Sequence, residues 1–212
     1  MARLSLGILA KLPGPVQRPA YDPTSLQAGI VHLGVGAFHR GHQAVFTDDA
    51  LAKDNRWGTI GASLRASDTR DALQPQDWLY TVAARDAAGE RLRIVGCLRD
   101  LLVAPESPKA LVEAMCHPLV KIASLTVTEK GYCHDPATAQ LNEDHPDVLH
   151  DLANPAAPRS VPGFLAAALH ERRQRGLQPV TVLCCDNRPA NGRTLRNVVS
   201  RLAELRNPGS GN

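Results

Sequence analysis

Two kinds of segment, distinguished by their pattern of apolar and polar positions, alternate along the chain. Short apolar runs bounded by Gly, Pro or polar clusters are typical of buried strands, and the longer segments between them have helix-forming composition. The pattern predicts strands at 30–33, 59–64, 121–127 and 180–185, and helices at 37–53, 68–73, 108–116, 144–151, 161–175 and 192–206. Strands that alternate with helices indicate an α/β protein whose mostly parallel sheet is flanked by helices.

A β-hairpin is predicted between the second and third of these strands. Segments 78–84 and 91–97 have strand-like composition and flank a short loop that contains Gly89. A short glycine-containing loop between two strand-forming segments is a hairpin signal. Because the hairpin falls among strand–helix units, we expect it as an insertion that decorates the sheet.

Cap signals mark three of the predicted helix starts. Ser67 with Asp68, Ser107 before Pro108, and Asn191 each have a side chain that can accept a hydrogen bond from the first helical amides. At the other end of a helix, residues 172–175 form the densest basic cluster. Cations suit the C-terminal end of a helix dipole, so this cluster does not by itself indicate a binding surface.

The boundaries of the domain follow from composition. Residues 1–29 are rich in proline and are expected to lie against the surface, residues 30–206 form the domain, and residues 207–212 are expected to fray. Lys11 and Pro13 interrupt the apolar run near the start, so a signal peptide is not expected. No apolar run approaches the roughly 20 residues that a membrane span requires.

Charge and cysteine usage narrow the class of protein further. A formal net charge of +3 is too small to indicate nucleic-acid binding, and no basic block stands out. Five cysteines, an odd number, show no CxxC spacing. This usage favours a reduced, cytoplasmic protein over a disulfide-bonded secreted one.

The first strand runs into a glycine turn that can serve a nucleotide. The dinucleotide-binding pattern is G-x-G-x-x-G/A, and this chain has Gly34, Gly36 and, at the third small position, His39. A turn of this kind, followed by a helix, delivers a pyrophosphate to the helix N-terminus. The alternative is a tight strand–helix turn that needs glycine only for its backbone conformation.

Polar residues after the second strand bear on the choice of nucleotide. Asp68 is the best-placed acid for ribose hydroxyls, whereas Asp48, Asp49 and Asp54 are nearer the expected spacing but lie in or just after the first helix. Arg65 and Arg70 flank Asp68 and could instead meet a 2′-phosphate. The acid repels that phosphate, so NAD is favoured and NADP remains possible.

Two polar residues follow later strands, and each has two interpretations. Glu129 can relay a proton or form an ordinary surface ion pair, and Asn187 can donate to a substrate oxygen or stabilise its own turn with Asp186. His39 and His42, with Cys133 or His134, raise the question of zinc. No HExxH or paired CxxC supports it, so no metal is expected.

Several segments, in order, resemble a known family. HLGVGAFHRGHQA (32–44), SLTVTEKGYC (124–133) and CCDNRPANGRT (184–194) resemble the Rossmann-like N-terminal domain of the mannitol dehydrogenase family. Further support lies in ASLRASDTRDAL (62–73) and HDLANPAAPRS (150–160), so the resemblance covers about residues 19–206. It implies a zinc-independent, NAD(P)-dependent oxidoreductase acting on a polyol or sugar acid of the mannitol/fructose or mannonate/fructuronate type.

The resemblance also assigns roles to residues. It implies that Asp68 holds the ribose, although many members carry Glu-Asp where this chain has Ser67 and Asp68. It implies proton transfer to solvent by Glu129 and polarisation of the reacting oxygen by Asn187. It implies pyrophosphate contacts at Gly34, Gly36, Phe38, His39 and Arg40. The predicted cofactor-binding set also includes Ala37, in the same turn, and Arg65, which flanks Asp68.

Family members continue into a helical domain with a K-x-x-x-x-N-x-x-H motif, whose lysine is the general base. Lys130 belongs to the T-E-K-G-Y segment and cannot be equated with that base. We therefore expect a cofactor-binding half that needs the C-terminal catalytic domain as its partner and has little turnover alone. The alternative is a non-catalytic nucleotide-binding module.

Overall fold

The computed structural model describes residues 3–207 and confirms the α/β class. Its strands are β1 (Ala28–Leu33), β2 (Gly58–Ser63), β3 (Tyr80–Asp86), β4 (Gly89–Val95), β5 (Leu98–Val103), β6 (Ile122–Leu125) and β7 (Thr181–Cys184). Its α-helices are α1 (Ala44–Leu51), α2 (Asp68–Leu73), α3 (Pro108–Met115), α4 (Pro146–Ala153), α5 (Val161–Gln174) and α6 (Asn191–Arg206). Every predicted strand and helix is present, with ends shifted by a few residues.

Five strands form one parallel sheet in the order β5-β2-β1-β6-β7. This is the strand order 3-2-1-4-5 of a doubly wound fold, in which the direction of winding reverses between β1 and β6. The edge strand β5 was not predicted. Arg99 and Asp100 interrupt its apolar run, as an edge strand with a partly solvated face permits.

The predicted hairpin is confirmed as β3 and β4, which form a separate two-stranded antiparallel sheet. A two-residue loop joins Asp86 to Gly89, and Gly89 has a φ of +123°. The hairpin therefore lies beside the parallel sheet and does not extend it.

Two apolar clusters cover the parallel sheet from opposite sides. Val31, Leu33, Ala123 and Leu125 point towards α3, α5 and α6 in the larger cluster. The smaller cluster joins α1, α2, the hairpin and β5; its fully or nearly buried members include Ala44, Leu51, Leu73, Val95 and Leu101. Among the described residues, no helix is long and apolar enough to cross a membrane.

The first predicted helix has an irregular start. It begins at Ala37 and ends at Leu51, but its turn from His39 to Gln43 is π-helical. The hydroxyl of Tyr80, on the hairpin, donates to the carbonyl oxygen of Arg40 at 3.0 Å. Short π segments within α-helices are frequent at functional sites, and this one directly follows the glycine turn.

One of the three predicted caps is confirmed. Ser107 accepts a hydrogen bond from the amide of Ala110, whereas the Ser67 hydroxyl donates to Asp71 at 2.6 Å and caps nothing. Asn191 is the first residue of α6 and not its cap. Its side-chain amide donates to the carbonyl oxygens of Cys184 and Asp186, because the chain after β7 folds back over the helix start.

Part of the basic cluster 172–175 is structural. Arg172 is 1% exposed and donates to four main-chain carbonyl oxygens around the C-terminal ends of α3 and α5; these belong to Met115, His117, Val120 and Gln178. Arg175 pairs with Glu113 and Glu171. Neither side chain is available for an external anion.

The Pro-rich lead-in contacts the hairpin and contributes to the core. Gln17 bridges to Arg93 of β4, and Leu26 is 1% exposed within the smaller apolar cluster. The expectation that this stretch only lies on the surface is therefore wrong at Leu26. Of the tail that was predicted to fray, residues 208–212 lie outside the described residues.

Asp48 joins three parts of the molecule and is expected to be critical for stability. Its carboxylate is 3% exposed and accepts hydrogen bonds from Tyr21, from Arg93 at 2.7 Å and from the amide of Gly96 at 3.0 Å. Asp48→Ala removes the acceptor of the buried Gly96 amide and leaves the half-buried Arg93 with the exposed Asp49 as its only carboxylate partner among the described residues. We expect a loss of about 3–5 kcal/mol in the free energy of unfolding, measured by urea denaturation.

The neighbouring acid supplies a matched control for this prediction. Asp49 also pairs with Arg93, at 2.6 Å, but its side chain is 57% exposed. Asp49→Ala is expected to cost less than about 1 kcal/mol, because solvent screens the pair. Equal effects of the two substitutions would contradict the assigned role of Asp48.

Candidate cofactor-binding site

The glycine turn lies where the sheet reverses its winding. Gly34 follows β1, has a φ of +93° and donates its amide to Ala62 of β2 at 2.8 Å. A Cβ atom on Gly34 would lie 2.2 Å from the carbonyl oxygen of Thr126, at the end of β6. Only glycine can therefore hold the turn between the ends of β1 and β6.

Gly36 serves a different purpose from Gly34. A Cβ atom on Gly36 would meet nothing nearer than the carbonyl oxygen of Gly34, at 3.9 Å, so the chain itself does not require a glycine here. The first helical hydrogen bond runs from the amide of Arg40 to the carbonyl of Gly36 at 3.1 Å. The amides of Ala37, Phe38 and His39 precede any helical acceptor, and such amides form an anion site.

A cleft of about 1040 Å³ opens in front of this turn. It is at the upper end of the roughly 300–1,000 Å³ of typical ligand sites. One wall follows the carboxyl ends of β1, β2 and β6 and includes Gly34, Gly36, Arg65, Thr126 and Thr128. The opposite wall comes from the segment around α4 and the start of α5 and includes His145, Asp147, His150, Arg159 and Phe164.

A buried polar network supports the turn. The Thr126 hydroxyl donates to the carbonyl oxygen of Gly34 at 2.7 Å, so it accepts from Nε2 of His32 at 3.0 Å. Nδ1 of His32 then accepts from the hydroxyl of Ser124 at 2.8 Å. His32 is fully buried and thus links β1 to two residues of the β6 segment directly under the turn.

His39 packs in this network and not in the cleft. Its ring stacks on His32 with 3.8 Å between ring centroids, and the residue is 2% exposed. Burial, aided by the charge of Arg40, lowers the pKa of His39 to about 4. Burial and the proximity of His39 also lower the pKa of His32. Both imidazoles are therefore neutral at pH 7, and His39 is not among the residues that line the cleft.

Two further residues of the predicted pyrophosphate set have side chains outside the cleft. The guanidinium of Arg40 donates to the carbonyl oxygen of Val35 at 2.8 Å and so braces the turn. Phe38 is 52% exposed and stacks on His42 in a groove away from the cleft. Neither Ala37 nor Phe38 is among the residues that line the cleft.

After β2, the two arginines that could bind a 2′-phosphate have different surroundings. Arg65 lines the cleft. Arg70 is engaged by Asp71 at 2.9 Å and by Glu106. Asp68 is exposed at the first position of α2, on the same connection as Arg65. Asp68 and Arg65 are therefore available to a ligand at this edge of the sheet.

Glu129 and Asn187 follow the neighbouring strands β6 and β7, and both are exposed. Glu129 lies 3.4 Å from Arg188 and 3.8 Å from His134, while the adjacent Lys130 lines the cleft. The two strand ends are tied together through Asp186, which accepts hydrogen bonds from the amide of Thr128 at 3.2 Å and the hydroxyl of Tyr132 at 2.7 Å.

The histidines that raised the question of zinc do not cluster. His39 stacks on His32, and His42 lies between Phe38 and Phe46. Cys133 instead approaches His145 and Asp147, with one ligand atom of each within 4.8 Å of the others. His145 caps α4 by accepting from the amide of Asp147 at 3.1 Å, and the positive end of a helix dipole disfavours a cation there.

The far wall of the cleft was not predicted from the residues. It is held by Asp151, which is fully buried and accepts hydrogen bonds from the amides of Arg159 and Ser160 at 2.7 and 3.0 Å. The signal that could have located it is His145 before Pro146, a cap followed by a first-turn proline, with an acid and serine downstream.

The parallel sheet in the order β5-β2-β1-β6-β7, with a glycine turn and a helix N-terminus at its reversal point, defines a Rossmann-type domain. The match of a family model is more specific. The model described as the mannitol dehydrogenase Rossmann domain matches residues 28–208, and the chain therefore belongs to the mannitol dehydrogenase family.

Relatives extend well beyond the region that this chain represents. The chain is 48% identical to the uncharacterized oxidoreductase YeiQ of Escherichia coli, covering 93% of this chain and 41% of that protein. It is 48% identical to a mannitol 2-dehydrogenase of Cereibacter sphaeroides, covering 90% and 40%. The solved ternary complex of Pseudomonas fluorescens mannitol 2-dehydrogenase with NAD and D-mannitol superposes with a TM-score of 0.92 at 38% identity, covering 98% and 43%. The chain thus spans about two fifths of these relatives.

Proposed function

We propose that this chain is the cofactor-binding half of an NAD-dependent dehydrogenase that interconverts a polyol or sugar acid and its keto form. The substrate pair is of the mannitol/fructose or mannonate/fructuronate type. The observation that carries the proposal is the open face of Gly36, which lines the cleft directly before the first turn of the helix. This cradle fits a pyrophosphate, and the similar Pseudomonas fluorescens enzyme was solved with NAD.

The bound nicotinamide supplies hydride acceptance and donation, and this chain supplies orientation and proton handling. Asn187 would donate its amide to the developing oxyanion, and Glu129 would pass the substrate proton to solvent. Their positions after adjacent strands, tied through Asp186, support this division of roles. The general base would come from the part of the protein that follows this region, so we expect little or no turnover from residues 1–212 alone.

NADH binding tests the proposal, and Asp68→Ala tests the choice of nucleotide. By calorimetric titration, we expect the chain to bind NADH more tightly than NADPH. Loss of a carboxylate that accepts from ribose hydroxyls should weaken NADH binding about tenfold and bring the two nucleotides closer in affinity.

Asp71→Ala is the matched control for the titration. Asp71 lies on the same helix as Asp68, but its carboxylate is already engaged by Ser67 and Arg70. Its removal should leave the NADH affinity within about twofold of wild type. If neither nucleotide binds at millimolar concentration, the proposed function fails.

A cytoplasmic location is part of the same proposal. All five cysteines are free thiols in the structure, and three of them, Cys97, Cys116 and Cys133, are buried. Chains that keep thiols unpaired fit a reducing compartment.

A further inference from the structure

An apolar groove lies on the sheet face that α1 only partly covers. It runs between Phe38, His42 and Phe46 on one side and Ile122 and Leu183 on the other, and has a volume of about 520 Å³. Phe38, Phe46 and Leu183 are 52%, 63% and 47% exposed. We call this the outer groove; no Asp, Glu, Lys or Arg side chain lines it in the described part of the chain.

Sheet register shows why this surface is unusual. His32, Ser124 and Leu183 are register partners on β1, β6 and β7, so their side chains share one face of the sheet. At β1 that face is buried under the turn, whereas at Leu183 it is open. The strands of a parallel sheet are ordinarily covered on both faces, so the β7 half of this face lacks its cover.

The outer edge of β7 is open as well. Within residues 3–207, β7 pairs only with β6, and α6 packs beside α5 on the opposite face of the sheet. With right-handed crossovers, a strand that followed α6 would pair with the free edge of β7 as the sixth in the doubly wound order. A segment that reaches this edge is also positioned to reach the outer groove.

We propose that the outer groove is the docking surface for the polypeptide that follows this region in the full-length relatives. The relatives supply the occupant, because this chain accounts for only 40% and 41% of two of them. The uncharged lining calls for an apolar partner surface, such as one face of an amphipathic helix. This inference does not depend on nucleotide binding.

Protection of Cys185 tests the contact directly. Cys185 lines the outer groove, whereas its neighbour Cys184 packs against the large cluster on the other face. The experiment compares this chain with a chimera in which it replaces the matching part of the Cereibacter sphaeroides mannitol 2-dehydrogenase. Iodoacetamide labelling of each cysteine is followed by peptide mass spectrometry.

We expect Cys185 to react at least about tenfold more slowly in the chimera, because a packed interface must open before the thiol is reached. Cys184 should change by less than about twofold and serves as the internal control. Equal Cys185 rates in the two proteins overturn the proposal.

A charge placed in the groove gives a second readout. Leu183→Asp and the control Leu119→Asp alter side chains of similar exposure, 47% and 46%, and Leu119 lies outside the groove. In the isolated chain both variants should unfold within a few degrees of wild type. In the chimera, only Leu183→Asp should split thermal unfolding into two transitions; equal behaviour of the two variants overturns the proposal.

The same substitutions can be tested in the intact Cereibacter sphaeroides enzyme, so the result does not depend on whether the chimera folds. Aspartate at its positions aligned with Leu183 and Leu119 should lower the unfolding temperature only at the first. A second copy of this chain is the competing occupant. Concentration-dependent dimerisation that Leu183→Asp abolishes, with no effect at the aligned position in the intact enzyme, assigns the groove to self-association and overturns the proposal. NADH affinity is measured separately, so a failure here leaves the proposed function standing.

Discussion

Gly34→Ala is expected to destabilise the fold by about 3 kcal/mol or more and to abolish NADH binding. Two independent effects produce this loss. Alanine is strained at a φ of +93°, and its Cβ would lie 2.2 Å from a main-chain oxygen at Thr126, which cannot move without disturbing β6. Urea denaturation and NADH titration of the same variant measure the two consequences.

Gly36→Ala tests NADH binding separately from the stability of the fold. Its Cβ has room within the chain, with the carbonyl oxygen of Gly34 at 3.9 Å, so the free energy of unfolding should stay within about 0.5 kcal/mol of wild type. If the pyrophosphate approaches the main chain here, the methyl group occupies its place and NADH affinity should fall at least about tenfold. If Gly36→Ala left the NADH affinity unchanged, the pyrophosphate would not bind at this turn, whatever the result for Gly34→Ala.

Acid is expected to destabilise the protein through the histidines under the turn. The pKa of His39 is about 4 in the folded protein, below its ordinary value of 6.5, so the unfolded chain takes up the proton first as the pH falls. The contribution of a neutral His39 is fully present above pH 6.5 and is lost progressively between pH 6.5 and pH 4. A shift of this size corresponds to about 3 kcal/mol, and His32, whose pKa is also lowered, adds in the same direction.

The comparison of variants isolates this effect from the titration of carboxylates. His39→Phe keeps an aromatic ring against His32 but has no proton to bind. In urea denaturation at pH 7, 6, 5 and 4, the variant should lose about 3 kcal/mol less than wild type across the series. His42→Gln, at an exposed position, should follow wild type. Parallel curves for wild type and His39→Phe would show that His39 is not the source.

The sequence predicted those elements of the fold that are determined by residues close together in the chain. The strands at β1, β2, β6 and β7, the hairpin, and the Ser107 cap all depend on residues within a few positions of one another. β5 was missed because Arg99 and Asp100 break its apolar pattern. The π-helical turn at His39 was missed because composition carries no signal for that register.

The site was predicted only in part, because its decisive contacts join distant segments. Pattern singled out the turn glycines and Arg65, which line one cleft in the structure, and their roles towards a cofactor stay predictions. The hydrogen bond between His32 and Ser124, which supports that turn, joins residues that are 92 positions apart in the sequence. The hydrogen bond between Thr128 and Asp186 joins residues that are 58 positions apart. The same reasoning explains Asp48, which had the spacing of a ribose-binding acid but is buried against Arg93. The proposed roles of Glu129 and Asn187 stay predictions.

The bond from Thr126 to the carbonyl of Gly34 also has a consequence for folding during synthesis. These two residues are 92 positions apart, so the proposed pyrophosphate cradle cannot be complete until β6 has left the ribosome and entered the sheet beside β1. A nascent chain that ends before β6 contains the entire glycine motif and yet has no supported turn. Nucleotide affinity would therefore appear abruptly with chain length, which makes cofactor binding a reporter of the moment at which the central strands pair.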